Sequence, residues 1–193
     1  MKNSFMISVL ILVLSAHFQM LRSQEQPRSE LKVVRSVDLA KYAGTWYEIA
    51  RLPNKYQEEC ACNVTATYTV LDDGEIKVLN TCVRVDGDTA KAEGRARRAS
   101  EEEPATKLKV RFAPGFLSFL PFVWGDYWII DLASDYSYAV IGEPDRRYLW
   151  ILARTPALEE ATLKQILERV AAQAYDLKKL IRTKQVAPTS DSH

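Results

Sequence analysis

Three cysteines, Cys60, Cys62 and Cys82, are the residues whose type and spacing could do chemistry in this chain. A thiol is a nucleophile or a metal ligand only as the thiolate, which needs a base or a cation beside it. The chain's two histidines, His17 and His193, lie towards its ends, outside the segments that read as folded. Histidine-based catalysis and histidine-rich metal sites are therefore not expected. Three thiols alone also lack the fourth ligand of a structural zinc site, so no metal is expected. What remains is oxidation to one disulfide with one thiol left over. Cys60 and Cys62 are two residues apart and cannot easily pair with each other. Cys82, on the following strand, is the natural partner of one of them, and spacing leaves open which.

A disulfide implies an oxidising compartment, and the N-terminus supplies a route to one. Lys2 gives a positive start, residues 5–14 form a short apolar run, and Ser15 and Ala16 close it. The run is too short to span a bilayer as an uninterrupted helix. Cleavage fits best after Ser15, with a site nearer Ser23 as the alternative. Residues 1–23 are read as a signal peptide with a short propart, an uncleaved anchor being the rival reading. The chain is expected to be secreted, or periplasmic if its source is bacterial.

A chain of 193 residues with 47% hydrophobic and 26% charged residues suits one domain with a true core. Its formal net charge of +1 creates no basic field, so nucleic acid is not an expected partner.

The elements that must position any site are mostly strands. After a polar lead-in at residues 17–37, read as flexible, residues 45–50 form a short aromatic and β-branched run. Residues 64–71 alternate, Asp72, Asp73 and Gly74 turn the chain, and residues 76–85 return, which predicts a β-hairpin. Residues 91–99, 106–112, 127–133, 136–142 and 148–154 continue the series, with Asp135, Pro144 and Asp145 at turns. Many short antiparallel strands predict a barrel or sandwich. Then the period changes: Leu163, Ile166, Leu167, Val170 and Ala174 recur at helical spacing, predicting a helix over residues 158–175. Thr155 is expected to cap it and Pro156 to open its first turn. Residues 177–185 could add a last strand, and residues 186–193 read as a disordered tail.

Within this pattern the run from Gly44 to Arg51 (GTWYEIAR) and the late block from Pro144 to Pro156 carry a resemblance. Together with the segment from Asp126 to Asp131, in this order and before a C-terminal helix, they resemble the lipocalin family. The likeness is greatest to its subgroup of bacterial lipocalins and apolipoprotein D, and spans residues 38–185. It implies an all-β, eight-stranded antiparallel up-and-down barrel with one helix packed outside. It implies a carrier or store of a small hydrophobic ligand, such as a fatty acid, lysophospholipid or sterol. No catalysis and no cofactor are implied.

In such a barrel the Gly44, Trp46 and Arg154 positions would form the closed end, because an eight-stranded barrel must be sealed on one side to hold a ligand. A guanidinium stacked on an indole can do this while its donors take nearby carbonyls. By resemblance, Tyr68, Asn80, Phe112, Tyr127, Trp150 and Leu152 would line the cavity. Strand parity agrees with this, placing Trp150, Leu152 and Arg154 on one face and Leu108, Val110 and Phe112 on another. The rival reading is that these aromatics fill the barrel themselves.

Two features stand apart from the barrel. The segment at residues 114–123 carries Phe116, Leu117, Phe119, Leu120 and Phe122 in a loop, where exposed apolar side chains suit a membrane or lipoprotein contact, a lid, or a dimer contact. The expected state is a monomer or weak dimer. Asn63, with Val64 and Thr65 after it, is a sequon for N-glycosylation.

Overall fold

A computed structural model describes residues 29–186 of the chain. The export signal read at residues 1–23, both histidines, and all of the predicted tail except Val186 lie outside the described residues.

The alternating segments form strands β1 (Gly44–Arg51), β2 (Cys60–Val70), β3 (Ile76–Arg84), β4 (Thr89–Arg98), β5 (Lys107–Arg111), β6 (Gly125–Leu132), β7 (Tyr138–Gly142) and β8 (Leu149–Ala153), with a two-residue β9 (Ile181–Arg182). Each of β1 to β7 pairs antiparallel with the next along the chain, and β1 also pairs with β8. Tyr47 thus stands opposite Thr65 on one side and Ala153 on the other, which closes the sheet into an eight-stranded barrel. Closure removes the free edges that would otherwise invite pairing with other chains. β9 adds outside the ring, against Ala50 and Arg51.

Period-two alternation gives the barrel two cores. On β8, Leu149, Ile151 and Ala153 face outward, while Leu152 belongs to the luminal cluster and Trp150 packs against it. The outward set is covered by the helix α2 (Glu160–Ala172), whose Leu163, Ile166 and Val170 are buried against it. Burying each such side chain stabilises the fold by about 1.5–3 kcal/mol relative to exposure. The luminal cluster includes Trp46, Ala66, Ile76, Val78, Leu108, Ile129 and Ile141.

Two local expectations are corrected. Thr155 does not cap the helix, because α2 starts later, and the Thr155 hydroxyl instead donates to the carbonyl of Ala157 at 2.6 Å. Residues 29–37 are not a loose lead-in. Leu31 is buried in the outer core, and the Val34 amide donates to the Ile129 carbonyl at 3.0 Å. Their apolar positions (Leu31, Val33, Val34, Val37) find barrel surface to cover, which composition alone does not reveal.

One irregularity matters for the lumen. Glu48 faces Leu152 and Ala50 faces Ile151, so β1 carries one extra residue, Ile49, against β8. Such a bulge switches the inward–outward parity of the strand beyond it. Trp46 and Glu48 point into the barrel before it, and Arg51, opposite Trp150, shares the inner face after it.

Candidate functional site

The closed end is built on a short helix, α1 (Leu39–Tyr42), capped by Asp38, whose side chain accepts from the amides of Ala40 and Lys41. It feeds Trp46 into the barrel axis, fully buried, with its indole N–H donating to the Tyr42 carbonyl at 2.8 Å. The Arg154 guanidinium lies over the Trp46 ring, 3.8 Å from its centroid. Its nitrogens donate to the carbonyls of Thr45 at 3.1 Å, Lys41 at 2.6 Å, Tyr42 at 3.2 Å and Ala43 at 2.9 Å. A planar cation that meets the ring face and still satisfies four carbonyls closes this end without burying an unpaired charge.

Above the plug, three tyrosine hydroxyls meet. Tyr127 lies 2.7 Å from Tyr42 and 2.8 Å from Tyr68, oxygen to oxygen. Tyr68 is on β2 and Tyr127 on β6, four strands apart in a ring of eight, so this contact bridges opposite walls. It forms a crossbar over the lumen. Burial disfavours the phenolate, pushing Tyr68 up to about 12 and Tyr42 and Tyr127 well above their ordinary value. All three are therefore neutral donors at physiological pH. Three hydroxyl protons serve two contacts, so one O–H is left to offer to a further acceptor. The three tyrosines, with Ile76, Val78, Ala96, Leu108 and Val110, line a cavity of about 10 Å³. That is room for about one water molecule.

The upper wall is different. On β4 the inward-facing positions, opposite Cys82, Asn80, Val78 and Ile76, are Ala90, Ala92, Gly94 and Ala96. Their small side chains leave width, and Ala92 is exposed although it faces the lumen, so this part of the barrel is open to solvent. Phe112 sits at the rim, 44% exposed, with its ring over Gly94, where an added Cβ would lie 2.8 Å from it. Asn80 stands level with Ala66 and Ala92 on the inner face. Trp150 is half-buried, stacked on Tyr148 with centroids 5.8 Å apart, and Leu152 is buried below it. The structure thus brings Tyr68 and Tyr127 into contact, sets Trp150 over Leu152 on β8, and places Asn80 and Phe112 higher on other walls.

Sequence reasoning missed Tyr42 and a polar cluster in the upper wall. Glu48, 2% exposed, accepts from Arg51 at 2.8 Å, from Gln57 at 2.6 Å and from the Thr183 hydroxyl. The signal for Glu48 was available, since it lies two residues after Trp46 and must share its face. Arg51 was not legible, because the bulge intervenes. Gln57 comes from a loop and carries no periodic signal at all.

The cysteines resolve as Cys60 with Cys82, leaving Cys62 as a half-buried free thiol. In a regular strand Cys60 and Cys62 would share a face. Bulges on both sides of Cys62 break that relation: Cys62 stands opposite Val83, while Cys60, opposite Arg84, joins the inner set to which Cys82 belongs. Asn63, in the left-handed region at φ 52°, accepts from the Val186 amide at 2.6 Å and donates its own backbone amide to the Lys184 carbonyl at 2.8 Å. The last described residues therefore fill the gap where β1 and β2 part.

The loop at residues 112–124 stands at the same end as this opening. Two 3₁₀ turns, Gly115–Leu117 and Pro121–Val123, shape it. A three-residue turn puts every third side chain on one side. Phe116, Phe119 and Phe122 accordingly project to solvent, whereas Leu117 and Leu120 are half-buried. Trp124 anchors the loop, with Arg97 and Arg111 over its ring at 4.2 and 5.2 Å.

A closed antiparallel barrel, plugged at one end and open above an aromatic floor, is a ligand-binding cup. The Lipocalin-like domain family model matches residues 37–185, and the chain belongs to the lipocalin family, whose members bind small hydrophobic ligands. It is 42% identical over 159 residues to temperature-induced lipocalin-1 of Arabidopsis thaliana, covering 82% of this chain and 84% of that one. It is 36% identical to the outer membrane lipoprotein Blc of Escherichia coli K12, covering 84% of this chain and 88% of the relative. Rat apolipoprotein D is also 36% identical, with 82% of each chain covered. Among solved structures, insecticyanin of the tobacco hornworm Manduca sexta superposes with a TM-score of 0.64 at 22% identity, covering 86% of this chain and 90% of its own. Among the described residues no helix is long and apolar enough to cross a membrane.

Proposed function

We propose that this protein is a secreted carrier or store of one small hydrophobic molecule, held in the upper lumen and released unchanged. The observation that carries the reading is the wall of β4: four successive inward positions bear only Ala or Gly, across the ring from β8 and its Trp150. A wall without side chains facing rings gives width for a ligand and apolar contact at little entropic cost. Tyr68, Asn80, Phe112, Tyr127, Trp150 and Leu152 are its proposed contacts, with Gly44, Trp46 and Arg154 closing the end away from the ligand. Two relatives carry lipid association in their names, an outer membrane lipoprotein and an apolipoprotein, which agrees with a lipid cargo. Export follows from residues 1–23 as read from the sequence. The Asn63 side-chain nitrogen has no partner among the described residues, which leaves it open to a glycan in a glycosylating pathway.

The test is native mass spectrometry of the purified mature protein, followed by titration with the neutral apolar probe N-phenylnaphthylamine while Trp emission is watched. Saturable binding near micromolar that weakens in Trp150→Ala supports the carrier. A folded protein that carries nothing and leaves the probe unbound rules it out.

A second reading concerns how cargo is exchanged. Tyr56, Val85, Phe112, Phe116, Phe119 and Phe122 are all exposed and all lie on loops or strand ends around the open mouth. Gathered at one end, they suit insertion into a lipid surface with the mouth facing it. Replacing Phe116, Phe119 and Phe122 by Ser should abolish flotation with phosphatidylcholine vesicles and leave the far-UV spectrum unchanged. Flotation that survives would assign the loop another role.

A further inference from the structure

The barrel contains a donor–acceptor niche that its own chain already occupies. Gln57 reaches in from the loop at residues 52–59 and lays its carboxamide against the upper wall. Its N–H₂ donates to Glu48 Oε2 at 2.6 Å, and its Oε1 accepts from Trp150 Nε1 at 2.7 Å and Asn54 Nδ2 at 2.9 Å. The loop is also held by Arg51 Nη2, donating to the Gln57 carbonyl at 3.4 Å. Arg51 Nη1 is committed to Glu48 Oε1 at 2.8 Å and Thr183 Oγ1 at 3.3 Å. The niche therefore presents one carboxylate oxygen beside two N–H donors, at the level of Trp150 and directly above the apolar Leu152.

We propose that this niche is the polar-head subsite of the carrier, and that it selects neutral amphiphiles whose head donates and accepts side by side, a carboxamide above all, over fatty carboxylates. The inference rests on the carrier reading, because it assigns the polar end of the same cargo. Gln57 is the built-in copy of the head it would yield to. A ligand amide replaces every bond that the Gln57 side chain gives up: its N–H₂ meets Glu48 and its carbonyl meets Trp150 and Asn54. An ester accepts but cannot donate, leaving Glu48 Oε2 unpaired in a buried setting, which costs more than the bond itself is worth. A carboxylate fares worse. It has no proton to donate at neutral pH and would place a second negative charge against Glu48, while the nearest cation, Arg51, is already engaged. The alkyl chain would then run past Leu152 towards the tyrosine crossbar, where the spare O–H accommodates an acceptor on the leading end if the cargo has one.

The mature full-length protein tests this through displacement of bound N-phenylnaphthylamine by dodecanamide, methyl dodecanoate and dodecanoate, whose chains match. Dodecanamide is expected to displace the probe at a concentration about tenfold below dodecanoate, the worth of one charge-assisted hydrogen bond. Gln57→Ala removes the internal competitor and should strengthen dodecanamide about fivefold, with the ester changed by less than about twofold. Trp150→Phe keeps the ring, loses the N–H, and should weaken amide and ester alike, because both carbonyls accept from it, leaving the gap between them unchanged. Dodecanoate equal to or better than dodecanamide in the unaltered protein overturns the proposal while leaving the carrier standing. So does a Gln57→Ala effect shared equally by all three, which would make Gln57 a simple lid. Failure of the probe itself to bind removes the carrier and this inference together. The ranking in the unaltered protein decides the matter even if a variant folds poorly.

Discussion

Gly44 and Arg154 meet at the closed end: a Cβ on Gly44 would lie 3.3 Å from Nη1 of the Arg154 guanidinium, and Gly44 holds φ at +96°. Both constraints point at the same residue type. L side chains rarely adopt that conformation, and the space it would need is taken by the cation that covers Trp46. Gly44→Ala is expected to cost about 1–3 kcal/mol of stability, read as a lower urea midpoint with the slope unchanged.

Arg154 itself should tolerate no cationic substitute. Arg154→Lys keeps the charge but offers one compact ammonium in place of a planar fork, so most of the four carbonyls and the ring contact lose their partner. A loss of about 1–3 kcal/mol is expected, with Trp46 emission shifted to the red as water reaches it. A Lys variant as stable as the parent would show that the plug seals without the guanidinium.

The cysteines make a counting prediction. The native protein should react with a thiol reagent once, at Cys62, and three times after reduction and unfolding. The Cys60–Cys82 bridge closes a sequence separation of 22 residues. Its removal by a double Ser substitution should cost about 3 kcal/mol on chain-entropy grounds.

Alkaline pH should weaken the fold through its tyrosines. Tyr68 and Tyr175 are raised to about 12, and Tyr42 and Tyr127 well above the ordinary value, all chiefly by burial. A raised pKa means the folded protein holds the proton that the unfolded chain gives up. That stability is complete below about pH 10, the unfolded value, and is lost progressively as pH rises towards the folded values. The unfolding free energy should therefore fall between about pH 10 and 12, and tyrosinate absorbance should lag that of the urea-unfolded chain. Tyr127→Phe should reduce the lag.

Much of this architecture was readable from local patterns. The alternation in residues 64–71 and 76–85, with Asp72, Asp73 and Gly74 between them, predicts the β2–β3 hairpin, and β2 ends at Val70 where β3 begins at Ile76. The helical spacing of Leu163, Ile166 and Val170 predicts the buried stripe of α2. Parity places Trp150 and Leu152 together on the inner face. These follow from a strand's period of two and a helix's of 3.6, which a chain expresses residue by residue.

What escaped was whatever depends on a break in the period or on two distant segments meeting. The bulge at Ile49 puts Arg51 on the inner face with Glu48, and those beside Cys62 decide that Cys60, not Cys62, bonds Cys82. The sequence by itself determined the strands, the turns, the helix and which face of each is apolar, because those depend on neighbours a few residues away. Only the closed barrel decided that Tyr42, Tyr68 and Tyr127 share one hydrogen-bonded floor and that Gln57 reaches the Glu48 carboxylate. The stagger and circumference of an eight-stranded ring set those meetings, and no local pattern encodes a distance across a lumen.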